Sequence, residues 1–172
     1  TERILTISGG NKKQVCLMTL TQFFFPGAPH IYYGDEIGME GGKDPDCRRA
    51  FLWDEGTWDM EQRAFIKRLV QIRHKNPQLR RGSFERLVED DALHAVVFSR
   101  SLGERKAYLI INASDKEINL QEVASEWFLP AGKPLWDAIN EREIVLGKNG
   151  MTIKVPHMEG LILIDRGVQV SP

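Results

Sequence analysis

GAPHIYYGDEIGMEGGKDPDCRRAFLWD, residues 27–54, is the stretch whose reading decides the fold. A short apolar run, Ile31-Tyr32-Tyr33, stops at Gly34 and opens into a polar, glycine-rich loop. That loop carries Asp35, Glu36, Asp44, Asp46, Arg48 and Arg49. A strand that delivers carboxylates and guanidiniums into a long loop is how an α/β barrel builds a wall of its active site. The pattern predicts a short buried strand over residues 30–33. The loop from 34 to 58 is longer than an ordinary connector, and loops of that length are usually functional or disordered.

Working outward, residues 11–25 read as a helix. Asn11 and Gln14 can form a capping box, and Pro26-Gly27 ends the run. Its apolar residues spread around much of the cylinder, so it needs cover on more than one side. Residues 59–75 read as a second helix, with Phe65, Leu69 and Ile72 on one face and Asn76-Pro77 as its stop. From there the period changes. Strands are expected at 83–88, 93–100, 106–112, 117–120, 133–137, 142–146, 151–155 and 160–165, separated by recurrent turn signals. Several short strands with regular turns suggest an antiparallel sandwich carrying its own core. The boundary falls near Arg80-Arg81-Gly82, dividing the chain into residues 1–81 and 82–172.

The 172 residues are 42% hydrophobic and 27% charged, with net charge −1, an ordinary globular balance. That charge argues against binding nucleic acid by phosphate neutralisation. No apolar run approaches the roughly 20 residues of a membrane span. Cys16 and Cys47 are the only cysteines. Their spacing matches no zinc pattern, and both read as free thiols in a reducing, cytoplasmic compartment. Asn112-Ala113-Ser114 fits a glycosylation sequon but also reads as a turn after a strand.

Gly27-Ala28-Pro29-His30-Ile31-Tyr32-Tyr33-Gly34-Asp35-Glu36 resembles the eighth-strand motif of the α-amylase family of glycoside hydrolases. Asp44-Pro45-Asp46-Cys47-Arg48 resembles the neopullulanase, cyclomaltodextrinase and maltogenic amylase members. The resemblance implies an α+β piece: the final strand–helix segment of a (β/α)8 barrel, followed by an antiparallel β-sandwich. It also implies a parent enzyme that hydrolyses α-1,4 and some α-1,6 glucosidic links, with retention, in cyclodextrins, pullulan or malto-oligosaccharides. In family members a His-Asp pair precedes a Thr-Glu-Arg like Thr1-Glu2-Arg3. The family's three catalytic carboxylates are therefore expected upstream of Thr1, and the chain reads as an internal cut from a longer protein. No catalytic residue, metal or cofactor is assigned within 1–172, and the chain alone is expected to be inactive.

The resemblance assigns Asp44 and Arg48 to contact with sugar hydroxyls, using charge-assisted hydrogen bonds. The alternative is an ion pair that pins the loop. Asp35 and Glu36 are rejected as a catalytic pair, because a retaining pair stands about 5–5.5 Å apart across the substrate and strand-like neighbours point to opposite sides. Glu36 is expected to be structural. Calcium held by Asp44 and Asp46 lacks the remaining ligands such an ion needs. Trp53 and Trp58 are expected to pack beneath the loop, and His30 to pack before the strand. The partner of the parent is an α-glucan oligosaccharide, with self-association through the barrel segment as a further expectation. A rival reading is a non-catalytic glycan-binding sandwich, against which its tryptophans, Trp127 and Trp136, are sparse and sit in mixed sequence.

Overall fold

The protein was analysed as a computed structural model, which describes residues 1–120, 133–145 and 153–165. Trp127 and the expected turn at 147–150 lie outside the described residues. Four helices come first: α1 (Ile4–Ile7), α2 (Lys12–Phe24), α3 (Met60–Lys75) and α4 (Pro77–Arg81). Three single 3-10 turns, at Asp35–Ile37, Asp46–Arg48 and Glu55–Thr57, punctuate the loop between α2 and α3. The strands follow as β1 (Glu85–Asp90), β2 (Ala95–Leu102), β3 (Arg105–Asn112), β4 (Ile118–Asn119), β5 (Pro134–Asp137), β6 (Arg142–Val145), β7 (Lys154–Val155) and β8 (Glu159–Asp165).

The helix ends follow local chemistry. Asn11 caps α2 by accepting from the Gln14 amide at 3.1 Å, and Asp59 caps α3 by accepting from the Gln62 amide at 3.0 Å, each satisfying an amide that the first turn leaves without a partner. Pro77 stops α3 and then starts α4 from its first turn, where a missing amide costs nothing.

The strands make an antiparallel six-stranded sheet in the order β1-β2-β3-β8-β5-β6, and β4 pairs with β7 in a separate two-stranded ladder. Strand side chains alternate between two cores. Tyr108, Ile110, Leu161 and Leu163 face the small ladder with Ile118 and Val155. Ala107, Leu109, Ile111, Ile162 and Ile164 face the helices, meeting Leu17, Leu20, Phe23, Phe24, Leu69 and Leu79. β3 is consequently buried at six successive positions from Ala107 to Asn112. The expected β unit with a core of its own therefore has a second apolar face, and that face belongs equally to the helices. Gly160 fits this contact because a Cβ there would stand 2.6 Å from Leu20 Cδ2 and 2.9 Å from the Ile110 carbonyl oxygen.

Two buried arginines converge on the end of α2: Arg100 ties the sheet to it, and Arg73 ties α3 to it. Arg100, 1% exposed, donates to the carbonyls of Phe24 (2.8 Å), Ser83 (2.8 Å) and Gly82 (3.0 Å). Arg73 donates to the carbonyls of Phe23 (2.6 Å), Phe25 (3.4 Å) and Gly27. Both cations sit at the C-terminal end of α2, where the helix leaves carbonyls unsatisfied and its dipole is negative. Burial lowers the pKa of both guanidiniums, and each has a nearby arginine that pushes in the same direction.

Asn112 is fully buried. Its amide nitrogen donates to the carbonyls of Lys116, Val155 and Pro156, and its oxygen accepts from the Ser114 amide and hydroxyl. In the folded protein this sequon is a turn lock whose amide has no room for a glycan.

Candidate functional site

The loop leaving α2 differs from the strand expected at residues 30–33. That stretch has no assigned strand and runs into a turn at Tyr33, no described strand pairs with it, and Ile31 and Tyr33 are 38% and 39% exposed. A strand is defined by its neighbours, and the described residues give this one none. His30 is exposed rather than packed; its carbonyl accepts from Gln22 Nε2 at 2.8 Å. The chain turns at Gly34, whose φ of +90° suits glycine and whose missing side chain leaves room for Met39 Sδ.

Arg3 organises the start of the loop. It is 3% exposed and donates to the Tyr33 carbonyl at 2.7 Å and to Asp35 Oδ1 at 3.1 Å. Its guanidinium carbon lies 4.8 Å from the ring centroids of both Tyr32 and Tyr33. Its Nε and Nη2 find no acceptor among the described residues, and the two cation–π contacts offset part of that cost. Arg3 also ties the loop through its backbone, with its amide donating to the Gly41 carbonyl at 2.9 Å. Burial pushes the Asp35 carboxyl above its ordinary range, and Arg3 opposes that shift. Glu36 accepts from the Gly34 amide at 2.8 Å, which gives it a bracing role. No sequence pattern marks Arg3, whose tyrosine partners stand about thirty positions away.

Asp44 and Arg48 come together as a two-pronged ion pair. Arg48 Nε reaches Asp44 Oδ1 at 2.8 Å, and Nη2 reaches Oδ1 and Oδ2 at 2.5 Å. Their side chains remain 55% and 63% exposed. Asp46 and Arg49 form a second fork at 2.6 and 2.8 Å. This one is tied into the loop: Asp46 accepts from the Gly42 amide at 2.7 Å, and Tyr33 Oη donates to the Arg49 carbonyl at 2.9 Å. Each aspartate is thus engaged by its own guanidinium, and the two carboxylates are not paired around a common point. Among the described residues no cluster of carboxylates, imidazoles and thiols has metal-binding geometry.

Asp44 and Arg48 border a cavity of about 620 Å³ whose other walls include Thr1, Arg3, Gln22, His30, Tyr32 and Asp35. It holds hydrogen-bonding groups of both signs beside aromatic surface, a composition suited to a neutral polyhydroxylated ligand. The tryptophans of the loop behave differently from each other. Trp58 packs as expected: its indole donates to the Leu52 carbonyl at 2.7 Å, and Arg63 lies over its ring. Trp53 does not, being 83% exposed with an edge contact to Phe51. Phe51 makes edge contacts with both indoles, at 4.9 Å to Trp53 and 6.0 Å to Trp58.

The chain belongs to the α-amylase family: the family model for the α-amylase catalytic domain matches residues 1–126. Among its relatives, a cyclomaltodextrinase from Geobacillus thermopakistaniensis is 40% identical over 116 residues, covering 67% of this chain and 20% of that protein. Neopullulanase 2 from Thermoactinomyces vulgaris is 34% identical over 165 residues, covering 95% of this chain and 27% of that protein. The crystal structure of a maltogenic amylase from S. marinus superposes with a TM-score of 0.75 at 34% identity, over 95% of this chain and 21% of that one. These relatives are α-glucan hydrolases. The chain spans between a fifth and about a quarter of the length of the curated relatives just described. Among the described residues, no helix is long and apolar enough to cross a membrane.

Proposed function

We propose that this chain supplies one wall of the glucan-binding cleft of a neopullulanase- or cyclomaltodextrinase-like hydrolase, with Asp44 and Arg48 contacting sugar hydroxyls. In this reading residues 1–81 are the end of the (β/α)8 barrel and residues 82–172 its C-terminal β-sandwich. The substrates are cyclodextrins, pullulan or malto-oligosaccharides, cleaved with retention. The observation that carries the reading is the exposed Asp44–Arg48 fork at the edge of a 620 Å³ cavity. A fork held in the open is preformed to exchange part of its own hydrogen bonding for vicinal hydroxyls. The family's nucleophile and acid/base are assigned to no residue here. Asp35 is held by Arg3 and Glu36 by the Gly34 amide, which supports leaving both out of the chemistry. Ile31, Tyr33 and Val70 line a second exposed cavity of about 580 Å³ with Ile66. We take that apolar surface as the face that meets the rest of a barrel, or another copy when the chain is alone.

A chimera tests the reading. Residues 1–172 replace the matching segment of Neopullulanase 2, and hydrolysis of pullulan and malto-oligosaccharides is followed by reducing ends. An active chimera whose kcat/KM falls about tenfold or more with Arg48→Ala or Asp44→Ala supports it. Unchanged kinetics across substrate lengths shows that the pair only braces the loop.

A further inference from the structure

A second concave site is lined by different residues. Between α3 and strands β5 and β8 runs a cleft of about 400 Å³ that shares no residue with the Asp44–Arg48 cavity. Ile72 contributes to its apolar side, Trp136 lines it from β5, and Arg68, Gln71 and Glu141 surround them with hydrogen-bonding groups. We propose that this cleft is a separate binding site for a glucosyl unit of an α-glucan chain. The proposal rests on the α-glucan reading above but not on the loop.

The lining selects the ligand class. A wholly apolar ligand would cover the Gln71 amide and the Glu141 carboxylate without offering either a hydrogen bond. An anion would find Arg68 and Lys75 but would also meet Glu141, so the lining carries both signs and suits a ligand that donates and accepts. A pyranose has one face of C–H groups and an edge of hydroxyls that both donate and accept. It matches an indole beside planar polar side chains. The site is also built on firm elements. Trp136 packs against the helix-side core. Arg68 Nη1 donates to the Ile139 carbonyl at 2.5 Å, fixing the guanidinium against the turn after β5. Glu141 takes up a left-handed backbone conformation, φ +53°. That conformation is uncommon for a side chain of its kind, and such strain clusters at ligand sites. Helix and strand positions hold a site more closely than loop positions do.

The test is a nuclear magnetic resonance titration of the 172-residue chain with maltoheptaose, with cellohexaose as the β-linked control. The expected result is saturable movement of the Trp136 indole and the Gln71 and Glu141 amides with maltoheptaose alone. Trp136→Ala should weaken that binding about tenfold and Gln71→Ala about threefold, while Arg48→Ala leaves it intact. Trp136 reaches into the core and its removal perturbs packing. Gln71→Ala is exposed and helix-compatible, so it decides the matter where Trp136→Ala does not fold. Movement confined to residues 44–48 and abolished by Arg48→Ala overturns the second site while supporting the loop reading. No movement in the cleft at millimolar sugar also overturns it, and the chimera then judges the loop independently. Equal response to the β-linked control overturns the assignment to α-glucan.

Discussion

The arginines of the α2–sheet junction and those of the 44–49 loop use the same side chain for opposite ends. Arg73 and Arg100 are 8% and 1% exposed and donate to backbone carbonyls at the end of α2 and around Ser83. Arg48 and Arg49 are more than half exposed and fork onto carboxylates four and three residues away. Buried, a guanidinium with several fixed acceptors holds distant segments in place, because removing it strands every carbonyl it served. Exposed, the same group contributes little to the fold, since water competes for each bond. Partner type and burial together, rather than residue identity, separate scaffold from binding surface.

The strongest way to break this contrast is Arg100→Met. The carbonyls of Phe24, Gly82 and Ser83 lose their donor, the first in a buried place and the other two where they are only partly covered. The expected loss is about 3 kcal/mol or more, read as a lower urea midpoint. Arg100→Lys should fall between, because one ammonium cannot cover the same three acceptors with the geometry of a planar fork. Helical circular dichroism and tryptophan fluorescence should move together. Among the described residues, the sheet face bearing Leu109 and Ile162 packs on the helices, so the halves unfold as one. Separate transitions, or a loss below about 1 kcal/mol, would show that the junction is a surface contact rather than a shared core.

A smaller effect sharpens the comparison from between the two regions. Asp59 caps α3, pairs with Lys12 at the start of α2 at 2.7 Å, and receives the loop through its amide, which donates to the Ile37 carbonyl at 3.0 Å. Burial raises its pKa, but the Gln62 amide and Lys12 outweigh that effect and hold it below the ordinary carboxylate value. A folded-state pKa below the unfolded one contributes stability that is complete above the unfolded value, near 4, and lost as pH falls through the folded value. Asp35 runs the other way. Its pKa is raised, so its penalty is present above the folded value and relieved on acidification. Asp59→Ala should cost about 1 kcal/mol at neutral pH through the lost cap. Asp59→Asn keeps a cap and should flatten the acid side of the stability curve. Urea midpoints taken between about pH 3 and pH 7 check both, and an unchanged acid limb in Asp59→Asn would remove Asp59 from the account.

Elements governed by local chemistry were readable from the chain. α2 and α3 announce themselves through Asn11, Asp59 and Pro77, and the strand runs through their turn signals. The resemblance in residues 27–54 led to the family, and Asp44 and Arg48 do meet. What stayed hidden depends on distant partners. The 30–33 stretch has the composition of a buried strand, but composition cannot supply a neighbour. Trp53 and Trp58 look alike in sequence, and only the Leu52 carbonyl and Arg63 beside Trp58 separate them. Arg3 needs Tyr32 and Tyr33. Arg73 and Arg100 left a trace that periodicity could have revealed. Arg73 continues the Ile66–Leu69 face of α3, and Arg100 continues the Val96–Phe98 face of β2 toward the helices. A charge in phase with an apolar stripe is a candidate for burial.

The finest test compares the two forks within the loop. Asp44 and Arg48 bond chiefly to each other, whereas Asp46 also holds the Gly42 amide and its partner's carbonyl receives Tyr33 Oη. Arg49 and the Gly42 amide hold the Asp46 carboxyl below its ordinary range, as expected for a carboxylate that serves the loop backbone. Asp44→Ala and Arg48→Ala should therefore leave the urea midpoint where it was, and Asp46→Ala should lower it slightly. Amide exchange at Gly42 should quicken in Asp46→Ala and stay unchanged in the other two. The equality that matters is between Asp44→Ala and the unaltered chain. If Asp44→Ala destabilises as much as Asp59→Ala, the open fork is a brace after all, and exposure is no guide to which arginine the loop keeps for a ligand.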